Sequence, residues 1–363
     1  MDYLQKLQYH YKPAKGWIND PNGLVYFKGY YHVFYQHSPD FEVPWMQPMH
    51  WGHARTENFI DWEELPVALY PDKDYDDDGC WSGTAVVKDD TLYLFYASIH
   101  GEDKIQTVSV AYSTDGIHFE KYSGNPVIKG YPADGCPDFR DPAVCLVDGE
   151  YCCVMATGNP EANAARLLLY KSEDLLKWKY AGIVSEWENS KYAECPSLVP
   201  AGEKYLLTAS VLPLERRHYF TVMYGTFHDT KFNVQHIGEI DKGPDQYAGL
   251  VFHDHKGRNI LISWMPGWKY RGYASKDVGC MSAPRELKLI DGKIYGYPIE
   301  ELQHLLKDSD PAVQRTENGF IIERTGREPV VYEGEIHDLK ILRDGYIIEV
   351  FVNGGEEIYS ALL

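Results

Sequence analysis

Three acidic residues, Asp20, Asp141 and Glu194, each open a short apolar segment of the same kind. Ser82 and Asp245 open two more, and the five segments recur at intervals of roughly 50 to 60 residues, a spacing typical of repeat folds. Carboxyl groups can divide nucleophilic and acid/base work between an ionised and a protonated partner. Acids at equivalent positions of a repeat would meet in one place, so the pattern predicts the site of a hydrolase.

The remainder of each repeat reads as further β-strands. About ten residues after each start comes an apolar run, and in four units a polar turn then leads to an aromatic residue. The apolar runs are 31–35, 92–96, 151–155, 205–209 and 259–264. One strand-rich unit repeated radially is a propeller blade. We therefore predict an all-β fold, a five-bladed β-propeller whose innermost strands line a central funnel.

The end of the chain does not continue the repeat. We predict a catalytic propeller over 1–290, a linker with one short amphipathic helix over 291–310, and a β region over 311–363. Apolar stretches alternate with turns in the last region, and Asn353-Gly354 is typical of a hairpin turn. The region is too short for a sandwich of seven strands, so we expect a truncated β-sandwich that packs on the propeller as an appendage.

Composition limits the class of partner. The net charge of −19 argues against nucleic acid and against an anionic membrane, whereas abundant tyrosine and tryptophan suit a neutral sugar. No basic region followed by an apolar stretch opens the sequence, so a cytoplasmic location is expected. The seven cysteines contain no CxxC pair and read as reduced thiols. We expect no metal and no cofactor, and no pattern predicts an oligomeric state.

The most specific segment is 17–23, Trp-Ile-Asn-Asp-Pro-Asn-Gly, which resembles the signature of glycoside hydrolase family 32, the invertases, fructanases and sucrose-6-phosphate hydrolases. Further matches span the predicted propeller: 34–36, 50–54, 81–83, 139–142, 194–196, 245–248 and 284–287. The resemblance implies hydrolysis of terminal β-fructofuranosides, such as sucrose or short fructooligosaccharides, by double displacement with retention.

The resemblance also implies a role for each matched residue. Asp20 corresponds to the nucleophile, Glu194 to the general acid/base, and Asp141 to the carboxylate that stabilises the transition state by gripping fructose hydroxyls. The implied substrate-binding residues are Asn19, Gln36, Trp51, Trp81, Ser82, Arg140, Asp245 and Tyr247.

Retention requires an ionised nucleophile and a protonated acid about 5 Å apart. We therefore expect the negative charges of Asp20 and Asp141 to raise the pKa of Glu194, and Arg140 to keep Asp141 ionised.

Several alternatives share these motifs. Fructosyl transfer would use the same residues with a sugar hydroxyl in place of water. Sucrose-6-phosphate would need a cation at the rim of the funnel, and the candidates are Lys73, Arg216, Arg217, His218, Lys269 and Arg271. The five-bladed arabinan and xylan glycosidases use similar acids, but segment 17–23 and the β appendage disfavour them. A non-catalytic sugar-binding propeller should lack at least one of the three acids, and all three are present. The segment 245–249, Asp-Gln-Tyr-Ala-Gly, departs from the family's Asp-Phe-Tyr-Ala-Pro and bears on leaving-group preference.

Overall fold

The computed structural model describes residues 7–41, 46–215, 217–266 and 279–363, and these are mainly β-strands. Five antiparallel sheets are each built from strands that follow one another in the chain. The first sheet contains β1 (Trp17–Phe27), β2 (Tyr30–Ser38), β3 (His50–Thr56) and β4 (Trp62–Leu69). The second contains β5 (Gly79–Lys88), β6 (Thr91–His100), β7 (Ile105–Ser113) and β8 (Glu120–Lys121).

The other three sheets repeat this arrangement. The third contains β9 (Phe139–Val147), β10 (Glu150–Asn159), β11 (Ala164–Ser172) and β12 (Lys179–Glu188), with a 3-10 helix at Pro160–Ala162. The fourth contains β13 (Ser190–Ala201), β14 (Lys204–Pro213), β15 (Tyr219–His228) and β16 (Lys231–Glu239). The fifth contains β17 (Tyr247–His253), β18 (Asn259–Met265), β19 (Cys280–Met281), β20 (Arg285–Ile290) and β21 (Lys293–Pro298).

The first strands of the five sheets form the inner wall of a ring. β1, β5, β9, β13 and β17 pack against one another in this order, and β17 packs against β1. The fold is therefore a five-bladed β-propeller, as the repeat predicted. Each of the five acid- or serine-headed segments lies at the start of an inner strand, because a constant repeat length returns the chain to the axis once per blade.

The middle strands of the blades are buried on both faces, because adjacent blades pack face to face. β6 shows this in its sequence, a nearly continuous apolar run whose residues from Leu94 to Ile99 are fully buried. Hydroxyl groups link neighbouring inner strands below the predicted site. Thr84 donates to Pro142 O at 2.9 Å and accepts from Val144 N at 2.9 Å, and Ser197 accepts from Val251 N at 2.9 Å. These bonds satisfy buried polar groups close to the axis.

The predicted domain boundary at 290 is wrong. β21 pairs with β20 over its whole length, so blade 5 continues to Pro298. The sequence placed Tyr297 and Pro298 in the linker that leads into the predicted helix, but pairing with β20 stabilises them as the end of a strand. The predicted short helix follows as a 3-10 helix at Glu300–Leu305.

The C-terminal β unit consists of two three-stranded sheets. They contain β22 (Val313–Thr316), β23 (Gly319–Ile322), β24 (Val330–Glu333), β25 (Leu339–Asp344), β26 (Ile347–Val352) and β27 (Glu357–Leu362). Phe320 and Ile322 of one sheet share an apolar core with Ile348 and Val350 of the other. The unit is thus a small sandwich of six strands.

Buried charged groups join the C-terminal β unit to the propeller. Arg285 of blade 5 pairs with Asp241 at 2.7 Å and with Glu349 at 3.2 Å, and all three side chains are inaccessible to solvent. His10 lies 3.0 Å from Asp344 and 3.2 Å from Glu349. The segment that precedes β1 therefore meets the C-terminal β unit at this contact.

All seven cysteines are free thiols. Within the described ranges, no helix is long and apolar enough to cross a membrane.

Candidate active site

Side chains from all five inner strands meet at the end of the funnel where those strands begin. β1 supplies Asp20, β5 supplies Ser82, β9 supplies Arg140 and Asp141, β13 supplies Glu194, and β17 supplies Tyr247. These residues lie far apart in the sequence and are brought together only because each occupies the same place in its blade. The structure thus gathers the three predicted catalytic acids and four of the predicted binding residues, Asn19, Ser82, Arg140 and Tyr247.

Asp20 is held by donors on both carboxylate oxygens. Ser82 Oγ donates to Oδ2 at 2.7 Å, and Asn19 Nδ2 donates to Oδ1 at 3.2 Å. Trp17 in turn fixes the amide of Asn19 by donating from Nε1 to its Oδ1 at 2.8 Å. Burial raises the pKa of Asp20, while the bonds from Ser82 and Asn19 oppose that rise. The donors therefore favour the ionised form that a nucleophile requires.

Cys195 connects two of the acids. Its backbone N–H donates to Asp141 Oδ2 at 2.9 Å, and its Sγ lies 3.6 Å from Asp20 Oδ2. Burial raises the pKa of the Cys195 thiol far above its usual range, so the group is a neutral donor and not a thiolate. The sequence marked Cys195 only as a neighbour of Glu194, and nothing in the pattern indicated that it touches the other two acids.

The prediction that the pKa of Glu194 is raised is wrong for the free protein. Arg140 Nη2 donates to Glu194 Oε1 at 2.8 Å, and Tyr247 Oη donates to Glu194 Oε2. Burial by itself raises the pKa of Glu194, but the charge of Arg140 and these two hydrogen bonds outweigh burial and lower it. The guanidinium of Arg140 donates to Glu194 and, at 2.9 Å, to Asp138, instead of to its sequence neighbour Asp141.

The carboxyl group whose pKa is raised is Asp141, and not Glu194 as predicted. The residue is 4% exposed, and burial raises its pKa to about 7, opposed by Arg140 and assisted by the charges of Glu194 and Asp20. The expectation that Arg140 keeps Asp141 fully ionised is therefore wrong. Three coupled carboxyl groups share their protons, and in the free protein a proton resides more readily on Asp141 than on Glu194.

A β-bulge lies beside each of these side chains. The pairing of every inner strand with its neighbour is interrupted at the site, at 18/21, 80/83, 194/197 and 247/250, and opposite Asp141 in β9. Asp141, Cys195 and Ala248 have φ values of 57°, 49° and 51°, which non-glycine residues rarely adopt. The bulges turn consecutive side chains such as Arg140 and Asp141 toward different partners.

Two of the predicted binding residues are buried and hydrogen-bond to the backbone of the inner strand β5. Trp51 is fully buried and donates from Nε1 to Trp81 O at 2.9 Å, whereas Gln36 is 2% exposed and donates to Cys80 O at 2.8 Å. They lie on β3 and β2, behind the inner strand, and hold the backbone of β5. Trp81 itself is half-buried and packs beside Trp17 and Tyr247. Of these two tryptophans, only Trp81 keeps an accessible surface at the site.

Asp245 is not among the gathered side chains. It is fully buried, and its Oδ2 pairs with Arg324 Nη2 of the C-terminal β unit at 2.6 Å. The same oxygen accepts from Leu362 N at 2.9 Å. The predicted contact between Asp245 and substrate is thus replaced by a contact within the protein, which the sequence could not reveal because Arg324 lies 79 residues away.

The described candidates for a phosphate-binding cation have other partners. Lys73 pairs with Asp72 at 3.0 Å, Arg217 donates to Gly243 O at 2.8 Å, and His218 Nε2 lies 3.0 Å from Gln246 O. Arg216, Lys269 and Arg271 lie outside the described residues.

Two further aromatic residues lie near the site: Trp264 was not singled out from the sequence, and His218 was named only as a candidate phosphate-binding cation. Trp264 packs edge-on against Trp17 with ring centroids 5.8 Å apart, and His218 packs edge-on against Tyr247 at 4.9 Å. Trp264, the last residue but one of β18, lies directly opposite Tyr247 in the strand register. A residue paired with the start of an inner strand could have been found by the repeat alone, whereas His218 precedes a third strand and had no such signal.

The arrangement can perform acid/base-assisted substitution at one carbon atom. Asp20 offers a carboxylate held by two donors, Glu194 offers a carboxyl group across the funnel, and Asp141 offers a third oxygen pair for substrate hydroxyls. The guanidinium of Arg140 offsets one of the three negative charges.

Comparison with known proteins gives consistent matches. Residues 10–298 match the model of the Glycosyl hydrolases family 32 N-terminal domain. A sucrose-6-phosphate hydrolase from Zymomonas mobilis is 36% identical over 328 residues, which cover 83% of this chain and 63% of that enzyme. A sucrose-6-phosphate hydrolase from Escherichia coli is 33% identical over 344 residues, which cover 88% of this chain and 70% of that enzyme.

Solved structures agree with the fold. A variant of the GH32 β-fructofuranosidase of Bombyx mori, in complex with sucrose, superposes with a TM-score of 0.85. The alignment covers 100% of this chain and 89% of that one, with 28% sequence identity.

Proposed function

Because the chain belongs to glycosyl hydrolase family 32, we propose that it is a retaining β-fructofuranosidase. It removes terminal β-D-fructofuranosyl units from sucrose or short fructooligosaccharides by double displacement. The observation that carries the proposal is the convergence of Asp20, Asp141 and Glu194 from three blades, with Arg140 and Tyr247 both bound to Glu194. A non-catalytic sugar-binding protein would have no need for an acid held between two such donors.

In the first step, a carboxylate oxygen of Asp20 attacks the anomeric carbon of the fructosyl unit. The bond to the leaving-group oxygen breaks, its electron pair stays on that oxygen, and Glu194 supplies the proton. In the second step Glu194 takes a proton from water, which attacks the same carbon and frees Asp20. Two inversions at one carbon give net retention.

Glu194 must carry a proton when the substrate is bound, although Arg140 and Tyr247 lower its pKa in the free protein. Substrate hydroxyls that donate to Asp141 would stabilise the ionised form of Asp141. The proton that Asp141 holds in the free protein would then pass to Glu194, since the three groups titrate together. Substrate binding thus places the proton where the first step needs it.

Asp141 also contributes after the proton has moved. Its carboxylate, held by Cys195 N–H at 2.9 Å, would accept hydrogen bonds from two fructose hydroxyls. As the ring flattens and gains positive charge, these bonds become shorter and stronger. Contacts that tighten in this way lower the barrier and not only the dissociation constant.

The test is product analysis of the purified protein with sucrose, following free fructose and free glucose. We expect equal release of both sugars and none above background from Asp20→Ala, with the exposed Glu102→Ala as a control of unchanged rate. Proton NMR at early times should show β-fructofuranose as the first product. Release that survives in Asp20→Ala, or first formation of the α anomer, would refute the mechanism.

Two variants of the same reaction are separated by further substrates. Glucose in excess over fructose would indicate transfer of the fructosyl unit to sugar acceptors. A higher kcat/KM for sucrose-6-phosphate than for sucrose would indicate the activity named for the Zymomonas and Escherichia relatives. No release from either sugar or from 1-kestose would contradict the proposed substrate class.

A further inference from the structure

Arg324 connects the C-terminal β unit to the start of the innermost strand of blade 5. Its side chain is inaccessible to solvent, and its Nη2 lies 2.6 Å from Asp245 Oδ2. Its Nε donates to Leu362 O at 2.7 Å, and Leu362 N donates to the same Asp245 oxygen at 2.9 Å. One guanidinium therefore holds a carboxylate of the propeller and the last strand of the C-terminal β unit together.

A buried ion pair is costly to form, because both charges lose their water. For the attachment of the two parts this pair is one of several, since Arg285 already joins Asp241 to Glu349 in the same contact. The distinguishing property of the Arg324 pair is its position. Asp245 lies two residues before Tyr247, whose hydroxyl group donates to Glu194.

The segment between Asp245 and Tyr247 has little freedom to absorb a movement. Asp245 N donates to Ser360 O at 3.2 Å, and Gln246 Nε2 donates to Ser263 Oγ at 2.9 Å. Gln246 O lies 3.0 Å from His218 Nε2. The β-bulge begins immediately after, at Tyr247 and Ala248. A shift of Asp245 is therefore passed to the ring of Tyr247.

We propose that Arg324 is a positioning residue for the reaction: through Asp245 it fixes Tyr247 against Glu194, so the C-terminal β unit takes part in controlling the acid/base. This inference rests on the proposed function of Glu194. It assigns to Asp245 a role in placing Tyr247, instead of the contact with substrate that the sequence predicted.

The charged and titratable groups around Glu194 determine the expected sign. Among the described residues, Glu194 faces Arg140, Asp20, Asp141, Cys195 and Tyr247, and Tyr247 also faces His218. The hydrogen bond from Tyr247 favours the ionised form of Glu194. Loosening it raises the pKa of Glu194, so the alkaline limb of kcat/KM moves to higher pH.

The experiment compares Arg324→Lys, Tyr247→Phe and the double variant across pH with sucrose, or with whichever fructoside the wild type cleaves. A lysine cannot contact Asp245 and Leu362 O in the fork geometry of arginine. We expect the alkaline limb to move up by about one pH unit in Arg324→Lys and in Tyr247→Phe. The double variant should move no further than Tyr247→Phe, since Arg324 acts through that residue.

Arg258→Lys is the control, because it weakens the largely buried pair of Arg258 with Asp254, at 2.8 Å, which lies just beyond the opposite end of β17 from Tyr247. It should lower the melting temperature and leave the pH profile unchanged. An unchanged profile in Arg324→Lys, or additive shifts in the double variant, would overturn the inference. If Arg324→Lys does not fold, the neutral pair Arg324→Gln with Asp245→Asn replaces it, with the same expected and opposing results.

Failure of the proposed function is recognised separately. A wild type that cleaves no fructoside refutes that function, and the inference then depends on a crystal structure of Arg324→Lys. A displaced Tyr247 hydroxyl supports the positioning role in that case, and a retained contact with Glu194 overturns it.

Discussion

Replacing His10 by glutamine should remove a specific pH dependence of stability. His10 is 4% exposed and lies between the carboxylates of Asp344 and Glu349, whose side chains are almost or fully inaccessible. Burial by itself lowers the pKa of His10, but the hydrogen bonds and charges of the two carboxylates outweigh it and raise the pKa to about 9. His10 is therefore an imidazolium ion at neutral pH.

The magnitude follows from the difference between the folded and unfolded states. The pKa of His10 is about 9 in the folded protein against an ordinary 6.5. A raised pKa stabilises the fold below the unfolded value, and this stabilisation is lost as pH rises through the folded value. The difference corresponds to about 3 kcal/mol of unfolding free energy, lost between about pH 6.5 and pH 9. The pKa of Glu349 is lowered to about 2, so its own titration falls outside this window.

The assay is urea denaturation of wild type and His10→Gln at intervals from pH 7 to pH 9.5. The wild type should approach the variant in stability by about 2 kcal/mol across this range, since only the wild type loses a charged His10. Groups common to both proteins cancel in the difference. His37→Gln is the matched control, because burial lowers the pKa of His37 to about 4 and its charge does not change in this window. If the curves of wild type and His10→Gln remain parallel, His10 is not an imidazolium ion in the folded protein and the reasoning fails.

Three further predictions concern the site and its support. Glu194→Gln should lower kcat/KM for sucrose by at least about 100-fold and far less for an aryl fructoside with an acidic leaving group, measured by initial rates; equal losses would contradict the role of Glu194 as acid. Ser82→Ala should move the acid limb of kcat/KM to higher pH by about one unit, because Ser82 lowers the pKa of Asp20; a shift of the alkaline limb alone would count against this. Gly83→Ala should cost about 3 kcal/mol or more in urea denaturation, since the new methyl group would lie 1.9 Å from the backbone oxygen of Phe95, which the pairing of β5 with β6 holds in place; a cost below about 1 kcal/mol would contradict this.

The parts of the fold that the sequence predicted are those specified locally. Apolar runs between turn residues identified the middle strands, and the constant repeat length identified the inner ones, because each blade is one contiguous stretch of chain. β21 was missed because Gly296 and Pro298 interrupt its short run of strand-forming residues, so that pairing with β20 defines the strand.

The residues that gather at the site could be predicted from the sequence, but the hydrogen bonds and ion pairs between them could not. Asp20, Asp141 and Glu194 share a position in the repeat, which is visible in the sequence. The choice of Arg140 between Asp141 and Glu194 depends on the φ of 57° at Asp141, and the partner of Asp245 depends on how the C-terminal β unit docks. Neither of these is encoded near the residues concerned.

The way in which the ring closes has a consequence for its topology. Within the described residues, every blade uses strands from one stretch of chain, and no strand is exchanged between blade 5 and blade 1. The ring is instead closed at this seam by packing of β17 on β1 and by the backbone hydrogen bond from Met281 N to Tyr11 O at 2.9 Å. The seam is thus a boundary between otherwise equivalent blades that lacks a covalent connection.

A cut of the chain at a turn inside a blade should therefore be tolerated only if a new covalent link is added across the seam between blade 5 and blade 1. Cutting the chain at the exposed turn of Asp89 and Asp90, for example, would create new ends within blade 2. The sheet hydrogen bonds of β5 and β6 would then join those two ends, and blade 2 would become the blade shared by both termini. The native order of the chain leaves ring closure to noncovalent contacts at the seam, and so makes the geometry of all three acids depend on residues outside the site.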